Sequence, residues 1–227
     1  QEILYGRDVV SDIFLDNLKS STPWIIKAVN IKLLVDQIDH GKREHILHIA
    51  AHFSNLIKVS EHVMVRHDAG RALLRIVGLL TPDQRNEIAM ELLKGLEVGE
   101  YEFSKYIPRY LGETALWLPP EQIGEILSHL KALMASPNDQ IASVALDTVG
   151  ILLECCPCYQ TRFEEEEGVW ERRRGELLGT LLGGLANYRE PVRQEALLVL
   201  GQIVFGSLRL SCVQKKEIFV LCFKKLL

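Results

Sequence analysis

The chain has 227 residues, 48% of them hydrophobic and 25% charged, with a formal net charge of -4. That composition suits a folded chain with a sizeable core, and it argues against both a disordered segment and a general polyanion binder, whose surface is usually basic. Five cysteines, with Cys155, Cys156 and Cys158 crowded into one run, make no long-range disulfide framework and predict a reducing, cytoplasmic setting.

In chain order, the apolar spacing predicts helices throughout. Val9 to Leu18 is a short amphipathic helix. Ser20-Ser21-Thr22-Pro23 then caps a second, Trp24 to Ile38, that stops at His40-Gly41. Lys42 to Val59, with Ile46, Ile49, Ala50, Phe53 and Ile57 on one face, is followed by His62 to Leu80. Thr81-Pro82-Asp83-Gln84 caps Arg85 to Leu96, and a turn at Val98-Gly99-Glu100 leads to Tyr101 to Leu118. Within that last segment Pro108 removes a backbone donor and obstructs the carbonyl four residues earlier, so the helix is expected to bend or restart there. Gln122 to Met134, Gln140 to Glu154, Glu164 to Ala186, Val192 to Phe205 and Val213 to Leu227 complete the series, separated by short Pro, Gly and Asn turns. No alternating Val/Ile/Thr run of the strand type is present.

The opening QEILYGRD carries charge where a signal peptide needs its apolar core. The uncharged run between Glu195 and Arg209 is shorter than the roughly 20 residues of a membrane span, so no membrane partner is expected. A first residue of Gln1 and an end inside the apolar stretch closing on Leu226 and Leu227 predict a piece excised from a longer chain.

Two segments repeat one another. Asp139 to Leu152 (DQIASVALDTVGIL) and Glu190 to Ile203 (EPVRQEALLVLGQI) align Ile141 with Val192, Ala145 with Ala196, Leu146 with Leu197, Val149 with Leu200 and Gly150 with Gly201. Equivalent anchors fall at Asp36, Gly78, Gly112, Gly150 and Gly201, at intervals of 42, 34, 38 and 51 residues, the longest marking an insertion at about 155–168. Two helices per period of this length are the mark of a stacked helical-hairpin solenoid, in which each hairpin buries its apolar stripe against its neighbour. The recurring glycines are expected at close helix contacts, and Ala145 and Ala196 in the core where helices cross.

Pro191-Val192-Arg193 leading to Ala196 and Leu200-Gly201 resembles the second helix of a HEAT repeat; Tyr101 to Leu118 departs from that pattern, with Ile107-Pro108 in place of the alanine. The resemblance, to HEAT and armadillo-like helical proteins, implies a right-handed α-α superhelix of stacked antiparallel helix pairs in one domain over residues 1–227. It also implies a protein-binding, scaffold role, in the cytoplasm and without a cofactor.

Several residue sets carry candidate chemistry. His45, His48 and His52 share a helix face, with His62, His67 and Asp68 at the start of the next helix; neutral imidazoles one turn apart beside a carboxylate suit a divalent metal. The His67-Asp68 dipeptide resembles that of a metal-dependent phosphohydrolase family, but Arg66 and Arg71 flank it and would repel a cation. Cys155 and Cys158 have the Cys-x-x-Cys spacing used for zinc or redox exchange, but Cys212 and Cys222 lie ten residues apart with no histidine nearby to complete a zinc site, so small buried thiols at a helix end are the better reading. The run Glu164-Glu165-Glu166-Glu167 before Arg172-Arg173-Arg174 reads as a solvated helix start complementing the macrodipole. In Tyr101 to Leu118, Phe103, Ile107, Leu111, Thr114 and Leu118 form the core stripe. Tyr106, Tyr110 and Trp117 fall at its edge with Lys105 and Arg109 beyond, an aromatic and basic set of the kind that anchors protein interfaces.

Three functions fit. The favoured one is a non-catalytic scaffold that binds a protein or peptide, including other domains of its own parent chain, at Lys105, Tyr106, Arg109, Tyr110 and Trp117. A metal-dependent phosphohydrolase built on His48, His52, His67 and Asp68 is the second. A HEAT-like nucleic-acid binder is the third; against it stand 26 basic and 30 acidic residues and only a scattered row of Arg66, Arg71, Arg75 and Arg109.

Overall fold

The computed structural model describes residues 15–19, 21–41, 43, 45–97, 101–159 and 167–227, and among these every regular element is helical. The chain divides into two compact units, Gln1–Leu92 and Leu93–Leu227. The predicted helix Val9 to Leu18 lies outside the described residues up to position 14; Leu15 and Leu18 are buried.

The first unit contains α1 (Trp24–Asp39), α2 (Ile46–Val59) and α3 (Val63–Ile76), the last running into a 3-10 turn at Val77–Leu79. α1 ends at Gly41, whose φ of 90° is a left-handed conformation that a residue without Cβ adopts freely. α3 packs on both α1 and α2. Ile31, Leu34 and Ile38 on α1, Phe53 and Ile57 on α2, and Val65, Leu73 and Ile76 on α3 all lie in the core. Each such side chain contributes about 1.5–3 kcal/mol by leaving water. Beyond the 3-10 turn, α4 (Pro82–Leu96) starts earlier than the sequence suggested, because Pro82 suits a first helical turn. Thr81 and Gln84 cap it reciprocally, each backbone amide donating to the other's side-chain oxygen. Arg85 then donates to the carbonyls of Gly78 and of Val77, the latter also accepting from the Leu80 amide.

The second unit holds α5 (Tyr101–Ser104), α6 (Ile107–Ala115), α7 (Pro120–Met134), α8 (Asp139–Tyr159), α9 (Glu167–Gly184), α10 (Glu190–Gly206) and α11 (Cys212–Leu226). The chain restarts at Ile107 with Pro108 in the first turn of α6, as the missing donor demands. α8 is the centre of this unit and packs on α6, α7, α9 and α10. Its buried residues cover most of the circumference, from Val144 and Ala145 through Val149 to Leu152 and Leu153, while the row Ser143, Asp147, Ile151 and Glu154 is half-buried. Thr148, also buried, donates its hydroxyl to the carbonyl of Val144 at 2.7 Å. α8 also corrects the expected boundary. It continues through Cys155 to Tyr159, so the insertion begins after the cysteines, and residues 160–166, including Glu164 to Glu166, lie outside the described residues.

Two devices join successive hairpins here. The first is a notch. A Cβ added to Gly112 on α6 would overlap Ile151 of α8, and one added to Gly150 on α8 would overlap Val199 of α10. Both intruders are β-branched, stiff at χ1, and unable to swing aside. Ala196 is likewise buried, its Cβ 2.8 Å from where one on Gly184 would sit. Gly201 departs from the expectation: among the described residues a Cβ there would meet nothing within 4 Å. The second device is an arginine strap. Arg173 donates to the Pro120 carbonyl at 3.1 Å, 53 residues back; Arg189 reaches the Ser136 and Pro137 carbonyls and pairs with Asp139; and Arg209 donates to Cys155 Sγ at 2.8 Å, 54 residues back. Each ties a helix or turn to a segment 53 or 54 residues earlier in the chain.

Candidate functional site

The sequence placed its binding set on α6, and the structure separates that set. Tyr110 is only 3% exposed and belongs to the core with Ile107, Leu111 and Thr114. The reason is the breadth of the burial: Pro108, Gly112 and Ala115 are covered as well as Ile107, Leu111 and Thr114, so the buried surface of α6 reaches past the predicted stripe to Tyr110, one turn from Ile107 and Thr114. Arg109 is exposed, while Tyr106, Lys105 and Trp117 are half-buried. Lys105 pairs with Glu102 at 2.8 Å and lies over the Tyr106 ring, 5.3 Å from its centroid. The expected groove therefore lacks its middle ring.

The histidine set is split as well. His48 and His52 meet edge to face with centroids 4.8 Å apart, and burial together with the neighbouring His48 lowers the pKa of His52. His62 instead stacks on Trp24 at 4.2 Å. Among the described residues no three or more His, Cys, Asp or Glu side chains are grouped so as to hold a metal ion, so His48, His52, His67 and Asp68 do not form the centre that the phosphohydrolase reading requires. Asp68 instead lines a cleft between α1 and α3 with Asp36, Asp39, Lys32, Arg71 and Arg75, in which Arg75 pairs with Asp39. Arg66, the first of the basic row, is buried and donates to the Ser60 carbonyl. Cys155 is buried under Arg209 inside a helix that continues past it, which corrects its expected place at a helix end; the side chains of Cys156 and Cys158 lie outside the described residues.

Two clusters of ionisable groups were not visible in the sequence. Asp147 on α8 faces Glu195 on α10. Burial, then the hydrogen bond to Glu195 and its charge, push the Asp147 carboxyl up to about 8. That shift keeps the proton on the Asp147 carboxyl at neutral pH. Arg209, in the α10–α11 turn, pairs with Glu113 of α6 beside Glu154 of α8. Burial raises the Glu154 carboxyl against the pull of Ser207, Arg209 and Lys215.

A further feature is apolar. On α10 and α11, Leu197, Phe205, Phe219, Phe223 and Leu226 are half or more exposed, Phe205 at 81%, and they converge with Gly201 on one open groove. A contiguous apolar surface of this kind marks a contact site. The signal was present in sequence, since Leu197, Leu198, Val199 and Leu200 on α10 leave it no polar face; reading the segment only as a core stripe concealed it. Among the described residues no helix is long and apolar enough to cross a membrane.

No family model matches the chain, and no curated protein matches it. Among solved structures it is similar to the crystal structure of an engineered protein, 15% identical, with 95% of this chain and 96% of that chain covered at a TM-score of 0.39. A likeness at that level bears on neither fold nor function.

Proposed function

We propose that this chain is a non-catalytic helical-repeat scaffold that binds a protein or peptide, including other domains of its own longer chain, in the cytoplasm. The observation that supports this reading is the open α10–α11 groove beside hairpins that repeat one packing device. Gly112 and Gly150 each take a branched side chain from the next hairpin, while Gly201, at the equivalent register, leaves its notch facing outward. A HEAT-like arrangement of stacked antiparallel pairs, continuing as a right-handed superhelix, accounts for both the notches and the straps spaced 53 and 54 residues apart. Solenoids of this type expose long surfaces for partners rather than a closed catalytic pocket. Arg109, Tyr106, Trp117 and Lys105 form a second surface to which a partner is expected to map.

The test is cross-linking of the purified chain to co-purifying proteins, followed by mapping of the linked residues. Reproducible links on α10–α11 or around Arg109 are expected. Recovery of no partner, together with phosphoester hydrolysis on addition of zinc, manganese or iron, would replace the scaffold by the enzyme.

A further inference from the structure

We infer that the α10–α11 groove receives an amphipathic helix from a partner, one that sets a valine or isoleucine into the Gly201 notch and acidic residues against the lysines of α11. This deepens the scaffold reading and rests on it.

The first argument is continuity with the interfaces inside the second unit. Gly112 accepts Ile151 and Gly150 accepts Val199, each a β-branched side chain from a helix laid across the glycine. Gly201 aligns with Gly150, and its flanks carry Leu197 and Phe205, with Phe219, Phe223 and Leu226 opposite on α11. The same geometry is thus presented outward with its central position empty. A helix is the occupant that this geometry has already accepted at the two equivalent positions, and it buries its own backbone polar groups on arrival.

The second argument is charge. α11 carries Lys215, Lys216, Lys224 and Lys225 against one acidic residue, Glu217. Lys215 faces Glu154, and Arg174 lies 4.0 Å from Glu217. Lys216, Lys224 and Lys225 are exposed and make no ion pair with any described residue. Lys216 lies on the same helical row as Phe219 and Phe223, at i+3 and i+7, so it stands at the rim of the groove. Two copies of this chain joined face to face at α11 would bring lysines together, whereas glutamates or aspartates beside the apolar row of a partner helix would pair with them.

The probe is a fluorescein-labelled 18-residue designed helical peptide with Ile and Val at i, i+4 spacing and Glu on both sides of that row. Its counterpart has Lys at every Glu. Saturable anisotropy change is expected with the Glu peptide and at least tenfold weaker binding with the Lys peptide. Gly201→Leu, which fills the notch in open space, should weaken the Glu peptide at least tenfold with no loss of melting temperature. The triple variant Lys216→Glu, Lys224→Glu, Lys225→Glu should reverse the peptide preference. Absence of saturable binding overturns the inference, as does binding indifferent to Gly201→Leu. So too do a dimer in sedimentation equilibrium that Gly201→Leu dissolves, which would make a second copy the occupant, and co-sedimentation with phosphatidylserine vesicles that Gly201→Leu abolishes, which would make a lipid surface the ligand. If the peptides fail while cross-linked partners map around Arg109, the groove assignment falls and the scaffold reading stands; if no partner is found either, both fall.

Discussion

α8 and α10 carry nearly the same sequence pattern and end in opposite situations. Each has an alanine in the core, Ala145 and Ala196, and five residues later a glycine, Gly150 and Gly201. Around α8 four helices pack and Val199 enters the glycine notch; on α10 one side is closed by the packing of Ala196 near Gly184, and among the described residues the other is open at Gly201. A glycine in a helix is therefore not intrinsically a packing device. Its cost in helix propensity is offset only where a neighbour makes use of the space, and at Gly201 that neighbour is not part of the described chain.

The sharpest way to break this comparison is to put the same side chain at both positions. Gly150→Leu should destabilise by about 3 kcal/mol, because Val199 is stiff at χ1 and its helix is packed on α8, α9 and α11, whereas Gly201→Leu should leave the denaturant midpoint unchanged or raised. Equal losses at the two sites would show that Gly201 is covered in solution. Ala196→Leu comes next. It presses a larger side chain toward Gly184 and should lower stability by about 1–3 kcal/mol in urea titration, with an unchanged m-value.

A smaller effect comes from the pair joining the two helices. With its carboxyl raised from the ordinary 3.8 to about 8, Asp147 holds a proton in the folded chain that the unfolded chain releases in mild acid. Its contribution is thus complete below pH 4 and is lost as the pH rises through 8. Asp147→Asn should flatten that decline and be more stable than the parent by about 1–2 kcal/mol at pH 8.5, with no difference near pH 4. A parallel decline in both proteins would show that Asp147 titrates normally. The smallest expected change is Gly201→Ala, a gain of about 0.5–1 kcal/mol from helix propensity alone, read as a small rise in Tm.

Much of the helical pattern was legible because it depends on neighbours in sequence. Pro108 restarts its helix, Thr81 and Gln84 cap theirs, and the stripe of Ile107, Leu111, Thr114 and Leu118 is buried as its spacing requires. What was not legible depends on groups far apart in the chain. Tyr110 reads as an edge residue beside its stripe and is a core residue because neighbouring helices cover nearly all of α6, Pro108, Gly112 and Ala115 included. Gly201 reads like Gly150 because no sequence window contains the residue that fills a notch. The pairing of Asp147 with Glu195 joins two helices whose register no local spacing reveals, so the groups that set the chemistry of that contact stayed hidden among ordinary surface charges.

The contact from Arg209 to Glu113 spans 96 residues, and Arg209 touches Cys155 on the way. Closing a loop of that length costs entropy that is recovered only when α6, α8 and α10 are already side by side. The strap is therefore a late event in acquiring the native state, and a chain emerging from the ribosome reaches it only after residue 209 has cleared the exit tunnel. Until then Glu113 and Cys155 lack a partner made 96 and 54 residues later, so the last strap of the second unit can close only after its helices have met.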